Sequence, residues 1–289
     1  MTGIGQENTM ILMIHGAWHG AWCWNHTQFQ LALLKRPSIA VDFANHGLSA
    51  EFPTAQRTRP FVPEAMATEQ SAGRAIGLEE ASRILADQIR VVSIATSGRV
   101  TLVAHSLGGV LTNSAAETVA EHVAGIIYVC AITPVNGGSA SDYRTAPENE
   151  GSRTSLLQTG NPGEIGAARI DAGDDARLKD IKEVFFQDID DKLARAAAHF
   201  MTPDVPIGLL RDPVLTSERF GKIPRAYIVC THDNALREAA QRRCIGDMDC
   251  AYPDRPTDIS VLHSSHSPFF SCPRELAWLI DMHSRKFAE

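Results

Sequence analysis

The chain has 289 residues, enough for one large domain with an insertion or for two small ones. Apolar residues make up 44% and charged residues 21%, and the formal net charge is −7, which argues against nucleic acid or an anionic membrane surface as a partner. No stretch approaches the ~20 apolar residues of a membrane span, and residues 1–8 lack the basic-then-apolar pattern of a secretory signal, so a cytoplasmic protein is expected.

Met10-Ile11-Leu12-Met13-Ile14 is a short apolar run that stops at His15-Gly16, the pattern of a buried strand. Residues 22–34 read as a helix with Phe29, Leu31, Leu33 and Leu34 on its apolar side, and residues 38–43 as a second strand. Residues 51–77 are rich in Pro, Thr, Ala and Arg and show no clear period. They are too long for an ordinary connection, so a partly ordered surface excursion is expected. The clearest helix runs over 78–94, where Leu78, Ala81, Leu85, Ile89 and Val92 form one stripe. A strand over 99–103 leads into Ala104-His105-Ser106-Leu107-Gly108, and a helix follows over 110–121. Further apolar strands are expected at 124–131, 224–230 and 259–262, with a closing helix at 273–287.

Strands alternating with helices imply parallel βαβ units and an α/β, doubly wound, mostly parallel sheet. Its core would comprise residues 1–132 and 223–289. Residues 133–222 interrupt the alternation: 136–174 are rich in Gly, Ser and Asp, while 175–201 show helical spacing in Ile181, Phe185, Leu193, Ala197 and Phe200. This insertion reads as a mainly helical cap over the strand ends, where ligands bind in such sheets. The six cysteines fit no metal-ligand spacing. Cys130 and Cys230 read as core thiols, Cys23 as packed among aromatics and Cys272 as unreactive. Cys244 and Cys250 could form a local disulfide, although a reducing compartment favours free thiols.

The residues with chemistry follow strands. Ser106 lies in a near match to the G-x-S-x-G elbow, with Ala104 where glycine is usual. Such an elbow is a strained strand-to-helix turn that tolerates only small neighbours and exposes the hydroxyl as a nucleophile. His15-Gly16-Ala17-Trp18-His19-Gly20-Ala21-Trp22 follows the first strand, and its glycine turn can free a backbone N–H for an oxyanion. Thr231-His232-Asp233 ends a later strand, and Ser264-Ser265-His266-Ser267-Pro268-Phe269-Phe270 follows the last one. The chain order is Ser, Asp, His. Among other acids, Asp247, Asp249, Asp254 and Asp258 do not end an apolar strand. His263 reads as a packing residue, His232 as pointing away from the site, and His105 as a support for the elbow.

Taken together, these motifs make the chain resemble the α/β-hydrolase superfamily over nearly its full length. The closer similarity is to the subgroup of plant methylesterases, hydroxynitrile lyases and bacterial carboxylesterases. It rests on H-G-A-W-H-G-A-W, Val-Cys-Thr-x-Asp, S-H-S-P-F-F and Asp42-Phe-Ala-Asn-His-Gly-Leu-Ser49, where Ala44 and Asn45 depart from the usual D-L-P-G-H-G-x-S. The resemblance implies that Ser106 is the nucleophile, His266 the general base and Asp233 its orienting acid. It implies an oxyanion hole from the N–H groups of Ala17 and Leu107, and no metal or cofactor. The expected reaction is ester hydrolysis through an acyl-enzyme. Gly16, Trp18, His19 and Phe269 are candidate substrate contacts. Phe185, Phe186, Phe200, Met201 and Phe270 are further candidates for an apolar pocket wall. The expected substrate is a small-molecule, uncharged, hydrophobic ester of a small or aromatic acid.

Three alternatives use the same residues. Hydroxynitrile lyases of the subgroup carry threonine after the first histidine and lysine after the last; here those positions are Gly16 and Ser267, which favours hydrolysis. The others are carbon–carbon bond cleavage and a small-molecule receptor that keeps the triad. The sequence carries no signal for oligomeric state.

Overall fold

A computed structural model describes residues 9–135 and 137–288. The octapeptide weighed above as a signal lies outside them. Six strands form one parallel sheet in the order β2-β1-β3-β4-β7-β8: β1 (Ile11–Ile14), β2 (Ser38–Val41), β3 (Val100–His105), β4 (Val123–Val129), β7 (Arg225–Cys230) and β8 (Asp258–Leu262). The order reverses at β1–β3, as in doubly wound sheets. β5 (Ala167–Arg169) and β6 (Asp204–Pro206) form a separate antiparallel ribbon.

The central strands are apolar on both faces because helices cover both. Leu12, Ile14, Leu102, Ala104, Ile126, Tyr128, Tyr227 and Val229 pack on one side. Ile11, Met13, Val103, Ile127, Val129, Ala226, Ile228 and Cys230 pack on the other. This is the two-residue alternation of a strand. The Leu78–Thr96 and Gly108–Thr118 helices belong to the first layer, and the Pro273–Lys286 helix belongs to the second. At the sheet edges, β2 and β8 are largely exposed or half-buried.

Element positions follow the sequence reading closely, with informative differences. The first helix begins as a 3-10 turn, Ala21–Trp24, before the α-helix Asn25–Leu33. A 14-residue helix, Glu238–Ala251, occupies a stretch that the sequence reading left unassigned. It carries Cys244 on its buried side and leaves Cys250 exposed. All six cysteines are free, so no disulfide joins these two.

Residues 51–77 are more ordered than expected. They contain the short helices Thr54–Arg57 and Pro63–Thr68 and a 3-10 turn, Ala72–Ala75. The Glu69 carboxylate accepts from the Thr54 and Ala55 N–H groups, both at 2.8 Å, closing the first of these helices. The whole segment is fastened to the β5–β6 ribbon. Arg169 and Asp204 are fully buried cross-strand neighbours joined by two hydrogen bonds of 2.6 and 2.7 Å. The remaining guanidinium nitrogen donates to the carbonyls of Met66 and Glu69 at 2.8 and 2.7 Å. A buried guanidinium is tolerated only with such complete satisfaction.

Candidate active site

Ser106 sits directly after β3 with φ of 51°, a left-handed conformation that costs a non-glycine residue energy. Surrounding contacts hold it there. Its N–H donates to the Val129 carbonyl at 3.2 Å, and its own carbonyl accepts from Gly109 and Ile132 at 3.1 and 3.0 Å. Two glycines make room. A Cβ on Gly16 would lie 2.6 Å from the Ser106 Cβ, and one on Gly108 would lie 2.5 Å from the His15 carbonyl oxygen. Ala104 is fully buried in the strand before the turn.

The last two strands deliver the other groups. Asp233 follows β7, and its Oδ1 accepts from the Ala235 and Leu236 N–H groups at 2.7 and 2.8 Å. His266 Nδ1 bonds to the other oxygen, Oδ2, at 2.6 Å. Since the carboxylate only accepts, Nδ1 carries the proton, and Nε2 keeps its lone pair. Asp233 and His266 are both buried, and Ser106 is 8% exposed. Ser106, Leu107, Ala17 and His266 line one narrow cavity of about 40 Å³. Among the described residues, the N–H groups of Ala17 and Leu107 have no acceptor, so two donors stand unused in the wall of that cavity.

The remaining lining is mostly apolar and comes largely from the inserted segment: Ala168, Phe185, Val205 and Leu210, with Ile132, Ala235 and Leu236 from the core. Arg144 and Thr154 are its polar members besides Ser106 and His266. Trp18, at φ of 59°, also lines it. Its indole N–H donates to the Ala168 carbonyl at 2.9 Å, and its own carbonyl accepts from Thr202, also at 2.9 Å, so the first turn and the insertion are stitched together.

Several expected wall residues lie elsewhere. Gly16, His19 and Phe269 do not line the cavity. Gly16 is spent on the close approach to Ser106. His19 and Phe269 are buried against each other, with ring centroids 5.7 Å apart, and His19 also packs on Trp22, Phe185 and Phe186. Of the further aromatic and Met candidates, Phe185 reaches the cavity. Phe186 and Met201 are buried elsewhere, Phe270 is half-buried behind Phe269, and Phe200 is 65% exposed. His263, expected to pack, is exposed and bonds the Thr231 hydroxyl at 3.1 Å. His232 is exposed on the turn that follows β7. The alternative acids are engaged elsewhere: Asp247 with Tyr143, Asp249 with Thr257 and Asp258 with Lys286. Asp254 is exposed.

His105 supports the site from below. Its Nε2 donates to the His266 carbonyl at 2.8 Å, and the Cys130 thiol donates to the same oxygen at 3.4 Å. Burial, then the nearby His266 and His19, holds the His105 imidazole well below the usual histidine range. His105, Cys130 and His266 bring ligand atoms within 4.8 Å of one another. Burial pushes the Cys130 thiol well up, however, and the His266 and His105 rings are already tied to Asp233 and to the backbone, so this trio is ill suited to hold a metal ion.

Gln241 was not singled out in the sequence. It is fully buried on the Glu238–Ala251 helix. Its amide bonds the Cys230 N–H and C=O at 2.9 Å each and the Leu236 carbonyl at 2.8 Å, and it approaches Asp233 Oδ2 at 3.4 Å. It braces both ends of the turn that presents Asp233. No local pattern marks such a role, because the helix itself is only weakly amphipathic in sequence.

The chain is 25% identical over 272 residues to methylesterase 2 of Arabidopsis thaliana, covering 92% of each protein. It is 26% identical over 277 residues to methyl jasmonate esterase 1 of Vitis vinifera, again covering 92% of each. Among solved structures, the pyrethroid hydrolase from Sphingobium faniae JZ-2 superposes with a TM-score of 0.72 at 24% identity, over 96% of this chain and 97% of that one. The Arabidopsis methylesterase MES16 superposes with a TM-score of 0.69 at 20% identity, over 96% and 99%. At such identities the superpositions establish the shared fold. Residues 11–277 match the alpha/beta hydrolase family, and with the six-stranded parallel sheet and the strand-to-helix turn at Ser106 they make the chain a member of that family.

Proposed function

We propose that the protein is a serine hydrolase that cleaves a hydrophobic carboxylic ester through an acyl-enzyme on Ser106. The observation that carries the reading is the 2.6 Å bond from His266 Nδ1 to Asp233, which leaves Nε2 free to take a proton, beside a strained Ser106 in the same cavity. Ser106 Oγ attacks the ester carbonyl and gives its proton to His266 Nε2. Asp233 stabilises the resulting imidazolium. The tetrahedral oxyanion accepts from the unused N–H groups of Ala17 and Leu107. The alkoxide leaves with the proton from His266, forming the alcohol. Water then repeats the sequence on the acyl group and releases the acid.

The named esterases and methylesterases among the relatives support an ester as substrate. A lyase reading has less support. It needs a cation where this chain has Ser267, a buried residue whose hydroxyl has no partner among the described residues. A panel of short alkyl and aryl esters, with Ser106→Ala as the blank, tests the proposal. Hydrolysis that vanishes in the variant, with acyl-Ser106 trapped in a rapid-quench mass spectrum, is the expected result. Cyanide release from an aromatic cyanohydrin without ester turnover would replace hydrolysis by lyase chemistry.

A further inference from the structure

Arg144 ends the short Ala140–Arg144 helix in the inserted segment and is half-buried. It lines the Ser106 cavity. It also lines a second, outer cavity of about 480 Å³, and the two share Arg144, Ala168 and Leu210 as a common wall. A guanidinium carries five N–H donors and does not deprotonate in proteins. Among the described residues, the Arg144 guanidinium has no hydrogen-bond acceptor, carboxylate or aromatic face to engage. The fully or nearly buried arginines elsewhere each have an ion-pair or hydrogen-bond partner. Arg36 pairs with Asp281 and Ser284, Arg169 with Asp204, and Arg225 with the carbonyls of Ile223 and Arg255. Arg144 is half-buried at the cavity wall with no partner among the described residues, and its partial burial lowers its affinity for its proton.

The backbone of Arg144 is held in register with the catalytic turn. The buried Asn149 donates to the Arg144 carbonyl at 3.0 Å and accepts from the Arg237 N–H at 2.9 Å. The Arg237 guanidinium in turn donates to the Asp233 carbonyl at 3.0 Å. The position of Arg144 is therefore referenced to Asp233. The charged groups sharing the outer cavity are Arg211 and Asp212, and Asp212 is engaged by the Gly137 N–H at 2.8 Å. The cavity that Ser106 and Arg144 share is otherwise mostly apolar, lined by Leu210, Ile132, Val205 and Phe185, with Thr154 as a further polar member. A mostly apolar cavity lined by both a nucleophile and an unpartnered cation selects a molecule of matching design.

We infer that the substrate is an ester carrying an anionic group, a carboxylate above all, separated from the scissile bond by an apolar segment and received by Arg144. This rests on the ester-hydrolase reading and departs from the uncharged ester that the sequence suggests. A carboxylate would meet the guanidinium in a bidentate, charge-assisted pair, the geometry for which arginine is suited.

The test compares monomethyl esters of straight-chain dicarboxylic acids, four to ten carbons long, with their dimethyl esters. Acetyl esters of ω-hydroxy acids serve as a second arm that puts the anion on the alcohol half. The expected result is a kcat/KM about 10- to 100-fold higher for an anionic ester than for its neutral partner at one chain length. The ratio should collapse to about one in Arg144→Met, through KM, and recover in part in Arg144→Lys. Equal rates for charged and neutral esters in the parent enzyme, or a preference that survives Arg144→Met, would overturn the inference while leaving the hydrolase reading intact. If no ester in either arm is turned over, the hydrolase reading fails instead. Calorimetric binding of the anionic esters to Ser106→Ala, with and without Arg144→Met, then still decides the arginine. Binding that depends on Arg144 supports it, and binding that ignores Arg144, or none at all, overturns it.

Discussion

The side-chain amide of Gln241 lies 3.4 Å from the Asp233 carboxylate and, at 2.9 Å, closes hydrogen bonds on both backbone groups of Cys230, the last residue of β7. One buried amide thus ties the end of a core strand to the acid that orients His266. Replacing Gln241 by Leu leaves the Cys230 and Leu236 backbone groups unpaired in a dry environment. The expected loss is about 2–4 kcal/mol in urea unfolding. In enzyme that remains folded, kcat should fall about tenfold with little change in KM, because Asp233 loses its brace while the pocket wall is untouched. An unchanged kcat would show that the two N–H groups of Ala235 and Leu236 suffice to hold Asp233.

Gly108 and Gly246 make a matched pair for testing the elbow. A methyl group at Gly108 would press on the His15 carbonyl at 2.5 Å, whereas one at Gly246 meets nothing within 4 Å. Gly108→Ala should therefore cost about 1–3 kcal/mol and lower kcat, since it drives the Leu107 N–H away from the Ala17 N–H. Gly246→Ala, inside the Glu238–Ala251 helix, should stabilise by about 0.5–1 kcal/mol and leave kcat alone. Equal effects from the two substitutions would refute the steric account.

Acid should weaken the fold well before the carboxylates titrate. Burial holds His19 down to about 3 and His46 down to about 4. In the unfolded chain both titrate near 6.5. Above pH 6.5 both are neutral in either state, and their contribution to stability is whole. Below it the unfolded chain binds protons that the folded chain refuses, so stability falls as pH drops toward 4 for His46 and 3 for His19. Each histidine supplies a slope of up to about 1.4 kcal/mol per pH unit, and His15 and His105, also pushed well down chiefly by burial, add to it. Urea midpoints measured between pH 7.5 and 5.0 should fall steadily, and His46→Gln should remove about one proton from the slope. A flat profile over that range would mean that these imidazoles are open to solvent in the folded protein.

The sequence made the sheet legible because parallel strands are apolar on both faces and therefore read as unbroken runs, as in Val100–His105 and Val123–Val129. Ser106, Asp233 and His266 were legible because each ends or follows such a run. What escaped depends on contacts across long stretches of chain. Residues 51–77 lack a period because their short helices are held by Arg169, about a hundred residues further on. Gln241 acts on backbone groups of Cys230 and Leu236 that only the folded chain brings to it. The aromatic candidates misled for another reason. Apolar character foretells burial, yet Phe186 and Phe269 are buried away from the cavity while Phe185, one residue from Phe186, lines it.

The Arg169–Asp204 pair fixes the β5–β6 ribbon against residues 51–77. Ala168 and Val205, on the alternate positions of the same ribbon, form part of the ceiling over Ser106. Raising that ribbon would carry the pair with it but pull Arg169 from the Met66 and Glu69 carbonyls, two charge-assisted bonds worth about 1.5–3 kcal/mol each. The ceiling is riveted along this edge. The ribbon therefore lifts only if residues 51–77 yield with it, so a stretch remote from Ser106 in sequence helps set how readily the cavity opens.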